Sequence, residues 1–269
     1  GPKTYYVDFA GGSDEADGLT PSSAFKHAPG DPSASGRAKT AVLNPGDTVL
    51  FKGGVVYRGS IIVQSSGLEG QPITYEGNPR GRFGAGRAII DGSEVLGGWK
   101  KVASPDEADG NPNWRNLWWA WVPAALSPFS ANLYQAETML WVAQEPNPSD
   151  PHYQDRASDF REMKPGSATP STLTDTEVFV QRNRHAWDGA WIAIWAQPNF
   201  TYYRKVLSYD PDRHCVTYET MTAAHYERPR GRFAMMNHLR LLDRPGEFVF
   251  TAVPSVPGDR VKAFLWPAA

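Results

Sequence analysis

The sequence predicts an all-β protein that begins as a stack of short parallel rungs and continues as an antiparallel β module. Three observations predict it. Short apolar runs broken by Gly, Pro, Asn and Asp recur throughout, with 25 glycines and 23 prolines in 269 residues, and long helical patterns are scarce. Between residues 48 and 91 such runs start at 49, 61, 73 and 88, which lie 12, 12 and 15 residues apart. From Trp99 to about Phe250 the apolar segments lengthen and alternate.

Thr4-Tyr5-Tyr6-Val7-Asp8 is aromatic and β-branched and reads as a strand. A polar loop follows from Gly11 to Gly18. Ser22 to His27 can form one short helix with Ser22 or Ser23 as its N-cap, and Pro29 to Lys39 reads as loop. Asn44-Pro45-Gly46-Asp47 is a turn signal. After it come four brief strands: Thr48–Phe51, Ser60–Val63, Pro72–Tyr75 and Ala88–Asp91. Strands this short at such spacing suit a solenoid, in which each strand pairs in parallel with its equivalent one turn away. The alternative is an ordinary sandwich edge built of hairpins. The loops between these strands lack the two-residue Asn-Gly or Asp-Gly signals a hairpin favours.

The second region offers Trp118–Val122, Leu133–Val142, Val178–Gln181, Trp191–Trp195, Tyr202–Tyr209 and Cys215–Glu219 as strands. In Trp191–Trp195 large residues fall on both faces, so both faces are expected to be covered. Asp210-Pro211-Asp212 and Arg244-Pro245-Gly246 read as tight hairpin turns. Pro146 to Pro170 is the longest irregular stretch, with at most a short helix near Gln154 to Phe160. The expected division is a cap and first coils over 3–98, an inserted antiparallel sandwich or barrel-like module over 99–250, and a return toward the coils over 251–269. Gly1-Pro2 reads as the scar of a removed purification tag and is set aside.

Composition excludes several function classes. The net charge is −2 and no block of five like charges occurs, so no nucleic-acid footprint is expected. No apolar run approaches the length of a membrane span. A single cysteine, Cys215, rules out an intrachain disulfide and a cysteine zinc framework. A chain this long can bury enough surface to be secreted without disulfides. The six histidines, His27, His152, His185, His214, His225 and His238, are not paired at metal-ligand spacing, and no Gly-x-Ser-x-Gly elbow is present.

Tyr5-Tyr6-Val7-Asp8, Gly12-Ser13-Asp14 with Asp17-Gly18, Pro21 and Ala24-Phe25 together resemble the opening of right-handed parallel β-helix proteins of the pectate-lyase-like superfamily. Pro45 to Phe51, Tyr57-Arg58-Gly59, Pro72-Ile73-Thr74 and Ile89-Ile90-Asp91-Gly92 look like the first coils of the same superfamily. Met139 to Asn147 is similar to a strand and loop of large β-helix glycoside hydrolases that carry an inserted β-sandwich. An arginine is common there just after the alanine, where this chain has Gln144 and Glu145. Asn237-His238, Leu241-Leu242-Asp243 and Pro245 to Phe248 resemble the segment leading back into the helix.

The resemblance implies a secreted, periplasmic or cell-surface protein, bacterial in type, that acts on a plant or algal polysaccharide. It puts hydrolase ahead of lyase, with a non-catalytic glycan-binding protein as the reading from another class. It also implies that the main coils, with the catalytic carboxylates of the hydrolases or the Lys, Arg or His base of the lyases, follow these segments. The chain is therefore expected to be the first part of a longer protein whose remaining coils are its partner.

Glycosidases need two carboxyl groups across the scissile bond, and lyases need a base plus a cation that neutralises the uronate. Glu76, Asp91 and Glu94 lie at strand ends of the coil region. Asp91, Glu94 and Glu145 are the catalytic candidates, against the plainer reading that Asp91 caps the turn at Gly92 and the glutamates are solvated. The loop Ser13–Gly18 can offer Asp14 and Asp17 to calcium, but it lacks the EF-hand spacing, and a plain Asx turn at Asp17-Gly18 is the favoured reading. Ten tryptophans are many for this length. Trp119, Trp141 and Trp195 are candidates for stacking on sugar rings, while most of the set is expected to serve the core.

Overall fold

The computed structural model describes residues 1–123, 130–150, 156–197, 200–222, 231–252 and 260–269. His152 and His225, and the first residues of the helix expected near Gln154, lie outside them. The chain divides into two compact units, Gly1–Val95 and Leu96–Ala269. The described residues are predominantly β, with one five-residue α-helix, as the composition predicts.

The first unit holds β1 (Thr4–Val7), α1 (Gly36–Thr40), β2 (Thr48–Phe51), β3 (Val56–Arg58), β4 (Thr74–Glu76) and β5 (Ile89–Asp91). Its ladders β1–β2, β2–β4 and β3–β5 are all parallel. Of the expected runs, Thr48–Phe51 pairs in parallel with the one at Thr74–Glu76, and the one at Ile89–Asp91 pairs in parallel with Val56–Arg58. Register places Tyr5, Val49 and Tyr75 in one column. With period-2 alternation this column points inward, where Val7, Phe25, Phe51 and Tyr57 join it in the core of the unit. Leu50 points to the other face and is buried there against Ala24 and Phe83. The turn before β2 is held by Asp47, whose carboxylate accepts the N–H groups of Lys3 at 2.7 Å and Asn44 at 2.9 Å.

Three local expectations fail in this unit. Ser60–Val63 is not a strand; the rung is Val56–Arg58. Tyr57 decides this, because its ring meets Phe9 and Phe51 edge-on and its hydroxyl reaches Asp31, whereas Ile62 and Val63 are exposed. The helix expected over Ser22–His27 is a single 3-10 turn, Pro21–Ser23, capped by Thr20. Phe25 instead bonds to β1 on both sides, its N–H to Tyr6 and its carbonyl from Asp8. The loop expected over Pro29–Lys39 contains the start of α1, which turns Ala38 into the core.

The second unit holds two open sheets. One, in spatial order, is β10 (Trp141–Val142), β18 (Glu247–Ala252), β19 (Arg260–Leu265), β7 (Trp118–Pro123) and β6 (Lys100–Lys101). The other runs β11 (Gln144–Glu145), β17 (Arg232–Met236), β14 (Trp191–Gln197), β15 (Phe200–Asp210), β16 (Cys215–Tyr218) and β13 (Thr172–Thr174), with β12 (Arg161–Glu162) also on β17. A small hairpin, β8 (Tyr134–Gln135) with β9 (Thr138–Met139), stands apart. Every pair is antiparallel except β10–β18. The main core contains Trp119, Val249 and Phe264 from the first sheet and Ile192, Ile194, Phe233 and Met235 from the second. Two sheets sharing one core make a sandwich. Neither sheet is closed, so the barrel alternative falls.

Asp210-Pro211-Asp212 does join paired strands, with Asp210 opposite Cys215. Arg244-Pro245-Gly246 does not make a hairpin, because β17 and β18 belong to different sheets. A 3-10 turn, Leu239–Leu241, intervenes, and its buried leucines draw the chain from one sheet to the other. Leu133–Val142 is broken by the hairpin turn at Ala136, and Val178–Gln181 is not a strand although Phe179 is wholly buried. A 3-10 turn at Ala157–Asp159 occupies the described part of the helix expected near Gln154 to Phe160.

Candidate functional site

β10 and β11 are two-residue strands in different sheets, separated by the wholly buried Ala143. That switch places Trp141 on β18 of one sheet and Gln144 and Glu145 on β17 of the other. The chain then leaves through a cis bond to Pro146 and comes back at Phe160 and Arg161, again on β17. Polar side chains collect between these two passes.

Gln144 is buried and fixes the loop. Its amide donates to the carbonyls of Pro146 at 3.1 Å and Asp159 at 2.8 Å. Asp159 is buried as well, and its Oδ1 accepts from the Ser149 N–H at 3.1 Å and hydroxyl at 3.0 Å. Arg161 Nη2 donates to Glu145 Oε1 at 2.6 Å, with both side chains over a third exposed. On the other flank Asn147 donates to Asp243 Oδ1 at 3.0 Å. Arg244 donates through Nη2 to the Pro148 carbonyl at 3.0 Å and lies 4.5 Å from the centre of the Trp141 ring.

Glu247 holds this flank from below. Its carboxyl group is fully buried and accepts the N–H groups of Asp243 at 3.0 Å and Arg244 at 3.2 Å, and Nε of Arg244 at 3.1 Å. Burial pushes its pKa up to about 7 against the pull of these donors. With no exposed atom, Glu247 positions Arg244 and touches no solute. Sequence reasoning missed Glu247, Arg244, Arg161 and Asp159. Their pairing across the two passes is not encoded in any local spacing.

Three polar atoms in this region, Asn147 Oδ1, Asp159 Oδ2 and Arg161 Nε, are buried without a hydrogen-bond partner among the described residues. They are two acceptors and one donor. Such atoms need a polar guest, a water or a hydroxyl, because an unmatched buried polar atom costs about 1–3 kcal/mol. The half-buried Trp195 packs edge-on against Phe160 at 5.4 Å, in the apolar cluster that also takes Val142. Mixed donors and acceptors beside flat rings suit a polyhydroxylated ligand.

The structure therefore brings Trp141, Glu145 and Trp195 around one loop and leaves the other candidates elsewhere. Asp91 lies in the first unit, where it accepts from Arg58 at 2.8 Å and caps the next turn through the Ser93 N–H at 2.8 Å. Glu94 is exposed. Trp119 is buried in the second unit, with Lys262 Nζ at 3.9 Å and Lys100 Nζ at 5.2 Å from its ring centre. Asp14 is buried and accepts from the His27 N–H and ring and from Ser35, and Asp17 makes an Asx turn with the Leu19 N–H at 2.9 Å. Among the described residues no group of three His, Cys, Asp or Glu is placed to hold a metal. Nor, among the described residues, is any helix long and apolar enough to cross a membrane.

No protein-family model matches the sequence. No curated protein matches it either. Among solved structures, a protein described as a glycoside hydrolase aligns over 98% of this chain and 43% of its own, with TM-score 0.55 and 14% identity. XylC in complex with xylose aligns over 98% of this chain and 31% of its own (TM-score 0.33, 13% identity). The GH136 lacto-N-biosidase from Eubacterium ramulus aligns over 46% and 15% (TM-score 0.22, 22% identity). The first of these likenesses is one of fold, and this chain spans less than half the length of that protein. The other two are too weak to bear on the fold.

Proposed function

We propose that this chain is part of a secreted carbohydrate-active protein, a glycoside hydrolase that acts on a plant or algal polysaccharide. In this reading its first unit opens a right-handed parallel β-helix into which the sandwich is inserted. Described residues at the two passes of this loop, Trp141, Glu145 and Arg161, contact the glycan together with Trp195. The observation that carries the reading is the correspondence of fold, over 98% of the chain, with a solved protein described as a glycoside hydrolase. The mixed polar and aromatic lining of the loop supports the choice of contact region.

One observation favours a second reading, glycan binding without turnover by this chain. Asp91 and Glu145 each sit in an ion pair with an arginine, and Glu247 is sealed from solvent. A panel of plant and algal polysaccharides separates the two. Release of reducing ends supports the hydrolase, and absorbance of unsaturated uronates would move the assignment to a lyase. Retention on a glycan without products supports the second reading. Neither binding nor turnover on a broad panel removes both. If the loop is the contact region, Trp141→Ala weakens binding about tenfold, the worth of one lost ring contact, while the urea midpoint moves little.

A further inference from the structure

The connection from β4 to β5 carries three arginines and three glycines in the eight residues Arg80-Gly81-Arg82-Phe83-Gly84-Ala85-Gly86-Arg87. It is built around Asn78, which is buried. The Asn78 amide donates to the carbonyls of Gly84 at 3.0 Å and Gly86 at 2.9 Å, and its Oδ1 accepts the Phe83 N–H at 2.9 Å. The N–H groups of Gly53 and Gly54 donate to the carbonyls of Phe83 at 2.8 Å and Arg87 at 3.0 Å. The Ala85 carbonyl faces the same way, since a Cβ on Gly53 or Gly54 would lie 2.9 or 3.0 Å from its oxygen. The carbonyls of residues 83 to 87 therefore all point into the protein. In a trans peptide the N–H points opposite to the preceding C=O, so the N–H groups of Gly84, Ala85, Gly86 and Arg87 point outward. The backbone sign alternates accordingly: φ is 75° at Gly84 and 78° at Gly86 but not positive at Ala85. That alternation turns successive N–H groups to one side as an anion-binding nest. None of these four N–H groups has an acceptor among the described residues, and all four residues are exposed.

Charge reinforces the dipoles. Arg80 and Arg87 are exposed and have no ion pair among the described residues. The carboxylates at the ends of β1 and β4 do not compensate them, because Asp8 is held by Lys52 at 2.6 Å and Glu76 by Arg82. We propose that this loop is a binding site for a tetrahedral oxyanion, a sulfate or phosphate group, held by the four outward N–H groups with Arg80 and Arg87 supplying the opposite charge. Four donors in one arc suit a group with three or four acceptor oxygens better than a carboxylate with two. The loop runs into β5 and not into a helix, so the attraction comes from the N–H groups and the guanidiniums alone. The group is either a free ion or an ester carried on a glycan. The site lies in the first unit, away from the Trp141 loop, so a silent glycan panel leaves the inference standing.

Amide NMR of the 269-residue chain tests it, with sodium sulfate and sodium phosphate titrated against sodium chloride at constant ionic strength. The signals of residues 84–87 should move together and saturate with sulfate or phosphate, and stay in place with chloride. Arg80→Ser combined with Arg87→Ser should weaken that binding about tenfold or more, through the loss of two charge-assisted contacts. Arg184→Ser, at an exposed arginine of the second unit, should leave it unchanged. A sulfated galactan that saturates the same signals about tenfold below free sulfate, counted per sulfate group, assigns the group to a glycan, and equal or weaker binding assigns it to the free ion. Shifts that never saturate, shifts spread over the exposed arginines of both units, or full affinity in the double variant each overturn the proposal. A desulfated galactan that acts as well as the sulfated one also overturns it.

Discussion

Two buried titratable side chains in the second unit act on stability in opposite senses. Burial raises Glu247 to about 7 from 4.5. The native state therefore holds that proton more tightly than the unfolded chain does, and its contribution is lost as pH rises from 4.5 to 7. Burial lowers His238 to about 4 from 6.5, with the Arg240 charge adding to the effect. Its contribution is present above 6.5 and is lost as pH falls toward 4. Between about 4.5 and 6.5 the two slopes cancel. Glu247→Gln should unmask the histidine: the unfolding free energy from urea titrations, flat with pH in the parent between about 4.5 and 6.5, should fall with acidification by about 1.4 kcal/mol per pH unit at the steepest point. A variant with the parent's flat profile would show that Glu247 does not hold its proton near neutrality. In the first unit the buried residues are tied differently. The Tyr57 hydroxyl bonds Asp31 and accepts the Ala28 N–H at 2.9 Å, and burial drives its pKa far above the usual phenol value.

The turns of the first unit set how closely its successive segments approach. A Cβ on Gly53 would lie 2.1 Å from the Gly86 carbonyl oxygen and 2.3 Å from Asn78 Nδ2. Both atoms are fixed, since the Asn78 amide also bonds the carbonyls of Gly84 and Gly86. Gly53→Ala should therefore cost about 1–3 kcal/mol by overpacking. Gly92→Ala, where nothing lies within 4 Å, should be neutral or slightly stabilising. Equal urea midpoints for the two variants would mean that the coil turns are looser than this packing requires. At the same scale the sequence found strands better than it found their ends. Alternation located β2, β14, β15 and β16, but it could not see that Tyr57 outcompetes Ile62 for the interior.

In the second unit, stability is concentrated between the two sheets. Ile192, Ile194, Phe233 and Met235 are wholly buried there on the paired strands β14 and β17. Their amides are expected to exchange slowest in the unit, about 1000-fold or more below those of the exposed β8–β9 hairpin. Comparable protection at Gln135 and Ile194 would contradict that ranking. The candidate loop hangs from the edge of this core, fixed by Gln144 and Phe160. Its polar atoms are thus held by a rigid support while their partners come from distant parts of the chain.

By itself the sequence determined the all-β character, the change of texture near residue 99 and the short rung-like runs before it. Those features are written in local period and turn chemistry, which act over a few residues. Only the tertiary structure decided that the sheets stay open, that Arg244-Pro245-Gly246 crosses between them, and that Arg161, Asp159 and Glu247 gather around the loop. Contacts such as Arg244 to Pro148 join residues far apart in the chain. Their energy comes from burial and pairing that exist only once both sheets have formed, so no local pattern can announce them.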